Sequence, residues 1–91
     1  MHRYANKRDK NESRIIEALR AAGASVTPLS APGVPDLLVG FRGQTYLLEV
    51  KDGRNGLTDE QDDWHTNWRG SPVWIVRNLE ESLRAISAVQ E

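Results

Sequence analysis

The sequence predicts an α/β fold: a mixed sheet of about four strands flanked by helices, in the order αβββαβα. Three observations predict it. Segments 11–22 and 79–89 carry apolar residues at helical spacing beside recognisable stop and cap residues. The stretch 36–51, "DLLVGFRGQTYLLEVK", reads as two apolar strands around a tight turn. A polar helical segment, "TDEQDDWHTNWRG", then separates this hairpin from another apolar run, "SPVWIV".

Taken in order, "NESRIIEALRAA" (11–22) is an amphipathic helix, and Gly23 is its natural C-terminal stop. "ASVTPL" (24–29) is a short strand at a sheet edge, because Pro28 cannot donate to a ladder. "SAPGVP" (30–35) is a loop. "DLLVGF" and "QTYLLEVK" are strands joined through Arg42-Gly43. Leu37, Leu38 and Val39 are consecutive, as are Leu47 and Leu48, which predicts strands buried on both faces. A glycine-punctuated loop, "DGRNGL" (52–57), leads to a helix ending at Gly70, whose tryptophans read chiefly as core. After the strand "SPVWIV" (71–76), Asn78 caps a last helix with an inner face of Leu79, Leu83, Ile86 and Val89.

The 91 residues form one domain, near the lower limit for a self-sufficient core. The absence of cysteine excludes a disulfide framework and a thiolate metal site, and favours a reducing, cytoplasmic setting. No apolar run approaches the roughly 20 residues of a membrane span, and the N-terminus lacks the apolar core of a signal peptide. The net charge of −1 does not announce a nucleic-acid binder. Its distribution is uneven, since residues 1–23 hold six basic side chains against three acidic ones. Residues 1–10 read as a flexible basic arm, and Lys7, Arg8, Lys10 and Arg14 are candidate phosphate contacts, alongside Ser30 and Arg54 in the loops.

Three carboxylates stand where apolar residues are expected. On an ideal helix, with Glu12 at zero, Ile15, Ile16 and Leu19 fall within about 60° of it. Glu12 is thus central to the buried face, where an acid needs a partner or the favourable field of the first turn. In the hairpin, a two-residue turn at Arg42-Gly43 sets Phe41 against Gln44 and Asp36 against Glu49. Opposed carboxylates repel across a ladder and are tolerated when a proton or a cation sits between them. With no histidine or cysteine cluster, the cation expected is magnesium or manganese. Lys51 shares the face of Glu49, because side chains on a strand alternate. Two acids and a lysine around a divalent ion suit phosphodiester hydrolysis.

"PD" at 35–36 followed by "EVK" at 49–51 resembles the PD-(D/E)XK nuclease superfamily. More narrowly, "GVPDLLVG" with "LLEVKDGRNGLTDEQDDW" is similar to stand-alone VRR-NUC domains of the phage and bacterial type, relatives of Holliday-junction resolvases. The resemblance runs from about Glu12 to Trp74. It implies a restriction-endonuclease-like core and a Mg/Mn-dependent DNA endonuclease, selective for branched, flap or nicked DNA and often homodimeric. It further implies Asp36, Glu49 and the Val50 carbonyl as metal ligands, with one or two ions per site. Lys51 would be the catalytic lysine, Glu12 an acid supporting the metal or its waters, and Gln61 a glutamine pointing at the site.

Gln61 has a second reading, because Thr58-Asp59-Glu60-Gln61 is a capping box. His65 reads as a surface residue rather than a base. Asp52 either holds the lysine or begins the loop, and Arg42 and Arg69 either contact phosphate or solvate the surface. The competing functions are a catalytically silent nucleic-acid- or protein-binding member of the same fold and a phosphoesterase acting on small nucleotides.

Overall fold

The computed structural model describes residues 10–87. Its elements are α1 (Lys10–Ala21), β1 (Ser25–Pro28), β2 (Leu37–Phe41), β3 (Gln44–Val50), α2 (Asp59–Asn67), β4 (Val73–Val76) and α3 (Leu79–Ala85). The strands form one sheet in the order β1-β2-β3-β4. The first two pairings are antiparallel and β3–β4 is parallel, with α2 in the connection. This is the mixed four-stranded sheet flanked by helices that the sequence predicts. Lys10 is the first residue of α1 rather than part of an arm. Lys7 and Arg8, with the rest of residues 1–9, lie outside the described residues, as does Val89.

Local chemistry explains each boundary. Gly23 takes φ 102°, and the Gly23 and Ala24 N–H groups donate to the Arg20 and Leu19 carbonyls, a Schellman ending that closes α1. Arg42 and Gly43 both take positive φ, 51° and 78°, the requirement of a type I′ turn. That two-residue turn sets Phe41 against Gln44 and Leu37 against Leu48, the expected register. Pro28 sits in β1, an edge strand, as its missing N–H demands.

The core lies on one face of the sheet. Val26, Leu37, Val39, Phe41, Leu48 and Val76 meet Ile15 and Leu19 of α1 and Ile86 just beyond α3. Burying one such aliphatic side chain contributes about 1.5–3 kcal/mol, and α1 and α3 pack on each other as well as on the edge strands. The expectation of strands buried on both faces is corrected for β2, whereas β3 buries Leu48 and Glu49 on opposite faces. Leu38 is 38% exposed, and β2 alternates buried with less buried positions. The second face carries α2, which buries none of its residues fully.

Three further features differ from the sequence reading. α2 stops at Asn67 because Trp68 turns extended and its indole N–H donates to the Ser71 carbonyl at 2.7 Å. Gly70 lies against that indole, and a Cβ there would come within 2.4 Å of the ring. The tryptophans are not core: Trp68 and Trp74 are 40% and 44% exposed, and Trp64 and Trp68 stack on each other with centroids 4.8 Å apart. In α3, Asn78 caps as predicted by accepting the Glu81 N–H, but Leu79 is exposed and Ser82 takes the buried position. No helix among the described residues is long and apolar enough to cross a membrane.

Candidate active site

The hairpin register carries the two acids to one place. With Leu37 opposite Leu48, the next pair outward is Asp36 and Glu49, Asp36 standing one residue before β2 begins. The Asp36 carboxylate accepts the Val50 N–H through Oδ2 at 2.8 Å. A continuing ladder would have paired Val50 with residue 35, exchanging both backbone hydrogen bonds. Residue 35 is a buried proline and has no N–H to give the Val50 carbonyl. The N–H and C=O of one strand residue point to the same side, so this carbonyl faces the Asp36 side of β3. The Pro35-Asp36 pair thus ends the ladder and leaves an acceptor oxygen beside a carboxylate.

Glu49 is 1% exposed and alternates with Leu48, so it faces away from the α1–α3 core and toward α2. Its pKa is raised from the ordinary 4.5 to about 8, by burial first of all, then by a hydrogen bond with Asp36 and the Asp36 charge, with Lys51 opposing and Glu12 adding to the rise. That rise favours the protonated form of Glu49 at neutral pH in the absence of a cation. Glu12, on the first turn of α1, is buried in the apolar stripe as its helical angle predicts.

Gln61 satisfies both of its readings at once. Its Oε1 accepts from the Thr58 backbone N–H at 2.9 Å while Thr58 Oγ1 accepts the Gln61 N–H at 3.2 Å, completing the capping box. The same Oε1 accepts from Lys51 Nζ at 2.6 Å, and Nε2 donates to Glu49 Oε2 at 3.2 Å. The cap therefore fixes the rotamer that joins the acid to the lysine. Lys51 is held from its backbone too, donating its N–H to the Val76 carbonyl of β4 at 3.0 Å.

His65 is a correction to the surface reading. Its side chain is only 13% exposed, and Nε2 lies 3.4 Å from Glu49 Oε1. Burial lowers its pKa, Asp62 opposes and Lys51 lowers it again, which favours the neutral ring. The signal was present in the sequence, since His65 follows Gln61 by four residues and so shares its helical face. Nothing in the sequence pattern marks Arg77. Its Nη1 donates to the carbonyls of Gly53 and Asn55 at 2.9 and 2.8 Å, tying down the loop that follows Lys51.

The remaining candidates lie elsewhere on the surface or in the loops. Lys10, Arg14, Ser30, Asp52 and Arg54 are exposed. The Arg42 guanidinium lies over the Phe41 ring at 4.8 Å, and Arg69 donates to the Asn67 carbonyl at 3.4 Å. The neighbouring face of α2 borders an open groove of about 420 Å³ lined by Trp64 and Trp68, where Glu60 and Asp63 make a poor seat for phosphate.

Among the described residues, no group of three or more His, Cys, Asp or Glu side chains forms a ready-made cation cluster. The donor set nonetheless fits a small hard cation. Asp36 and Glu49 supply two carboxylates and Val50 a carbonyl, and magnesium binds through one or two carboxylates while keeping several waters. A divalent ion would also replace the proton that the acid pair holds. No protein-family model, curated protein or solved structure matches the chain.

Proposed function

We propose that the chain is a metal-dependent DNA endonuclease that hydrolyses phosphodiester bonds with Mg²⁺ or Mn²⁺, selective for branched, flap or nicked DNA. The observation that carries this reading is the buried Glu49 beside the half-buried Asp36, linked to Lys51 through Gln61. Opposed acids cost stability, and a fold that also aims a lysine at them has a use for the negative charge.

Asp36, Glu49 and the Val50 carbonyl would hold the ion, with Glu12 acting through a water. When bound, the ion lowers the pKa of the attacking water and offsets charge on the phosphate. The water oxygen forms a bond to phosphorus as the bond to the leaving sugar oxygen breaks. Lys51 orients that water and stabilises the charge that develops on the phosphate oxygens. Gln61 fixes the lysine by accepting from Nζ and fixes the acid by donating to Glu49.

The proposed assembly is a homodimer, which would set two sites on one branched substrate. The exposed Trp74 and Ile75 on the edge strand β4 support it, because a domain this small gains core by covering them. A panel of linear, nicked, flap and four-way DNA with Mg²⁺ or Mn²⁺, run beside Lys51→Ala, tests the reading. Cleavage by wild type alone supports it. Absence of nicking with either ion at every salt concentration overturns it and favours a silent binding member of the fold.

A further inference from the structure

His65 is a polar group at Glu49 to which the proposed chemistry gives no task. It projects from α2 one helical turn after Gln61, and the two side chains reach opposite oxygens of one carboxylate. Gln61 Nε2 lies 3.2 Å from Oε2, and His65 Nε2 lies 3.4 Å from Oε1. The imidazole is mostly buried and stands edge-on to Trp64, with centroids 6.1 Å apart and an interplanar angle of 76°. It is therefore held in place independently of Glu49.

We infer that His65 is a positioning residue for Glu49, clamping the carboxylate from the oxygen that Gln61 does not reach. This rests on the metal-site reading and deepens it. An ionised carboxylate only accepts hydrogen bonds, so the tautomer required carries its proton on Nε2. Two oxygens offer about four lone-pair directions; two donors occupy two of them and leave the others for a cation. At 3.4 Å the contact is long for an N–H···O bond, so the donor acts by fixing the orientation of the carboxylate rather than through a strong bond of its own. The clamp matters because Glu49 is the side chain on which both the cation and the Lys51–Gln61 bridge depend.

The test is calorimetric titration of Mn²⁺ into the full chain at pH 8 without DNA, for wild type, His65→Ala and His65→Gln, with kcat and KM for DNA measured alongside. The alanine variant is expected to bind Mn²⁺ about tenfold more weakly, the usual cost of losing a partner that orients a metal ligand. Glutamine, whose amide nitrogen extends to a similar reach, is expected to restore affinity to within about threefold. In the alanine variant kcat falls while KM for DNA is unchanged. If alanine unfolds the domain, His65→Leu fills the space beside Trp64 without a donor and takes its place. Wild-type Mn²⁺ affinity in the donor-free variant, or a glutamine variant as weak as it, overturns the inference and leaves the metal site standing. A wild-type chain that binds no Mn²⁺ overturns both.

Discussion

Glu49 on β3 and Lys51, the first residue beyond that strand, are joined through one carboxamide: Gln61 donates to the acid at 3.2 Å and accepts from the lysine at 2.6 Å. The same Gln61 closes the capping box of α2. Helix start and site geometry are therefore one structural unit, so that whatever frays the first turn of α2 also releases the lysine.

Substitutions at Gln61 separate these roles. Gln61→Ala removes both, and should cost about 1 kcal/mol of stability through the lost cap together with cleavage activity. Gln61→Glu keeps a capping residue at the third helical position but cannot donate to Glu49. It should hold the first turn of α2 by helical content while cleavage falls at least about tenfold, the loss of roughly one charge-assisted hydrogen bond. Wild-type cleavage in Gln61→Glu would make Gln61 a cap alone.

Asp36→Asn keeps an oxygen for the Val50 N–H and removes the charge that opposes ionisation of Glu49. Cleavage should be abolished while the metal-free domain is as stable as wild type or up to about 1 kcal/mol more stable in urea melts. An unfolded variant would make Asp36 structural.

The raised pKa of Glu49 sets the pH dependence of the metal-free fold. Between its ordinary 4.5 and about 8, native Glu49 holds a proton that the unfolded chain releases. Stability from this group is therefore greatest at the acid end and declines as pH climbs through that window, by up to about 1.4 kcal/mol per unit. Urea midpoints at pH 5, 6, 7 and 8 should fall in that order for wild type, and Glu49→Gln should flatten the series.

Much of this was legible in the sequence because hairpin register is a local matter. Arg42-Gly43 fixes a two-residue turn, and every opposed pair down to Asp36 and Glu49 follows from it. Glu12 was equally legible, since helical angle alone puts it on the buried face. Burial on the second face was not. Runs such as Leu37-Leu38-Val39 look the same whether a strand is covered on one side or two, and only the tertiary arrangement leaves Leu38 open. The tryptophans misled for a related reason: Trp68 ends α2 by bonding Ser71 and stacking on Trp64, contacts that helical spacing does not encode. His65 was misread because its neighbours on α2 are polar, although its spacing from Gln61 already placed it on the Glu49 side.

The turn carries a stability prediction of its own. Arg42 is a non-glycine residue held at φ 51°, where asparagine or glycine is at less cost. Arg42→Asn should stabilise the domain by about 0.5–1 kcal/mol, less whatever the stacking of Arg42 on Phe41 contributes. Gly43→Ala should destabilise it by a similar amount. Thermal melts at one pH decide both.

The most direct measurement of the central claim is Mn²⁺ binding to the wild-type chain at pH 6, 7 and 8, with the protons released counted by calorimetry in buffers of different ionisation enthalpy. A cation that displaces the proton of the Asp36–Glu49 pair should bind about tenfold more tightly for each unit of pH up to about 8. It should release close to one proton per ion at pH 6–7, and Asp36→Asn should lose the binding. An affinity that does not change with pH, or that survives in Asp36→Asn, would contradict the metal site.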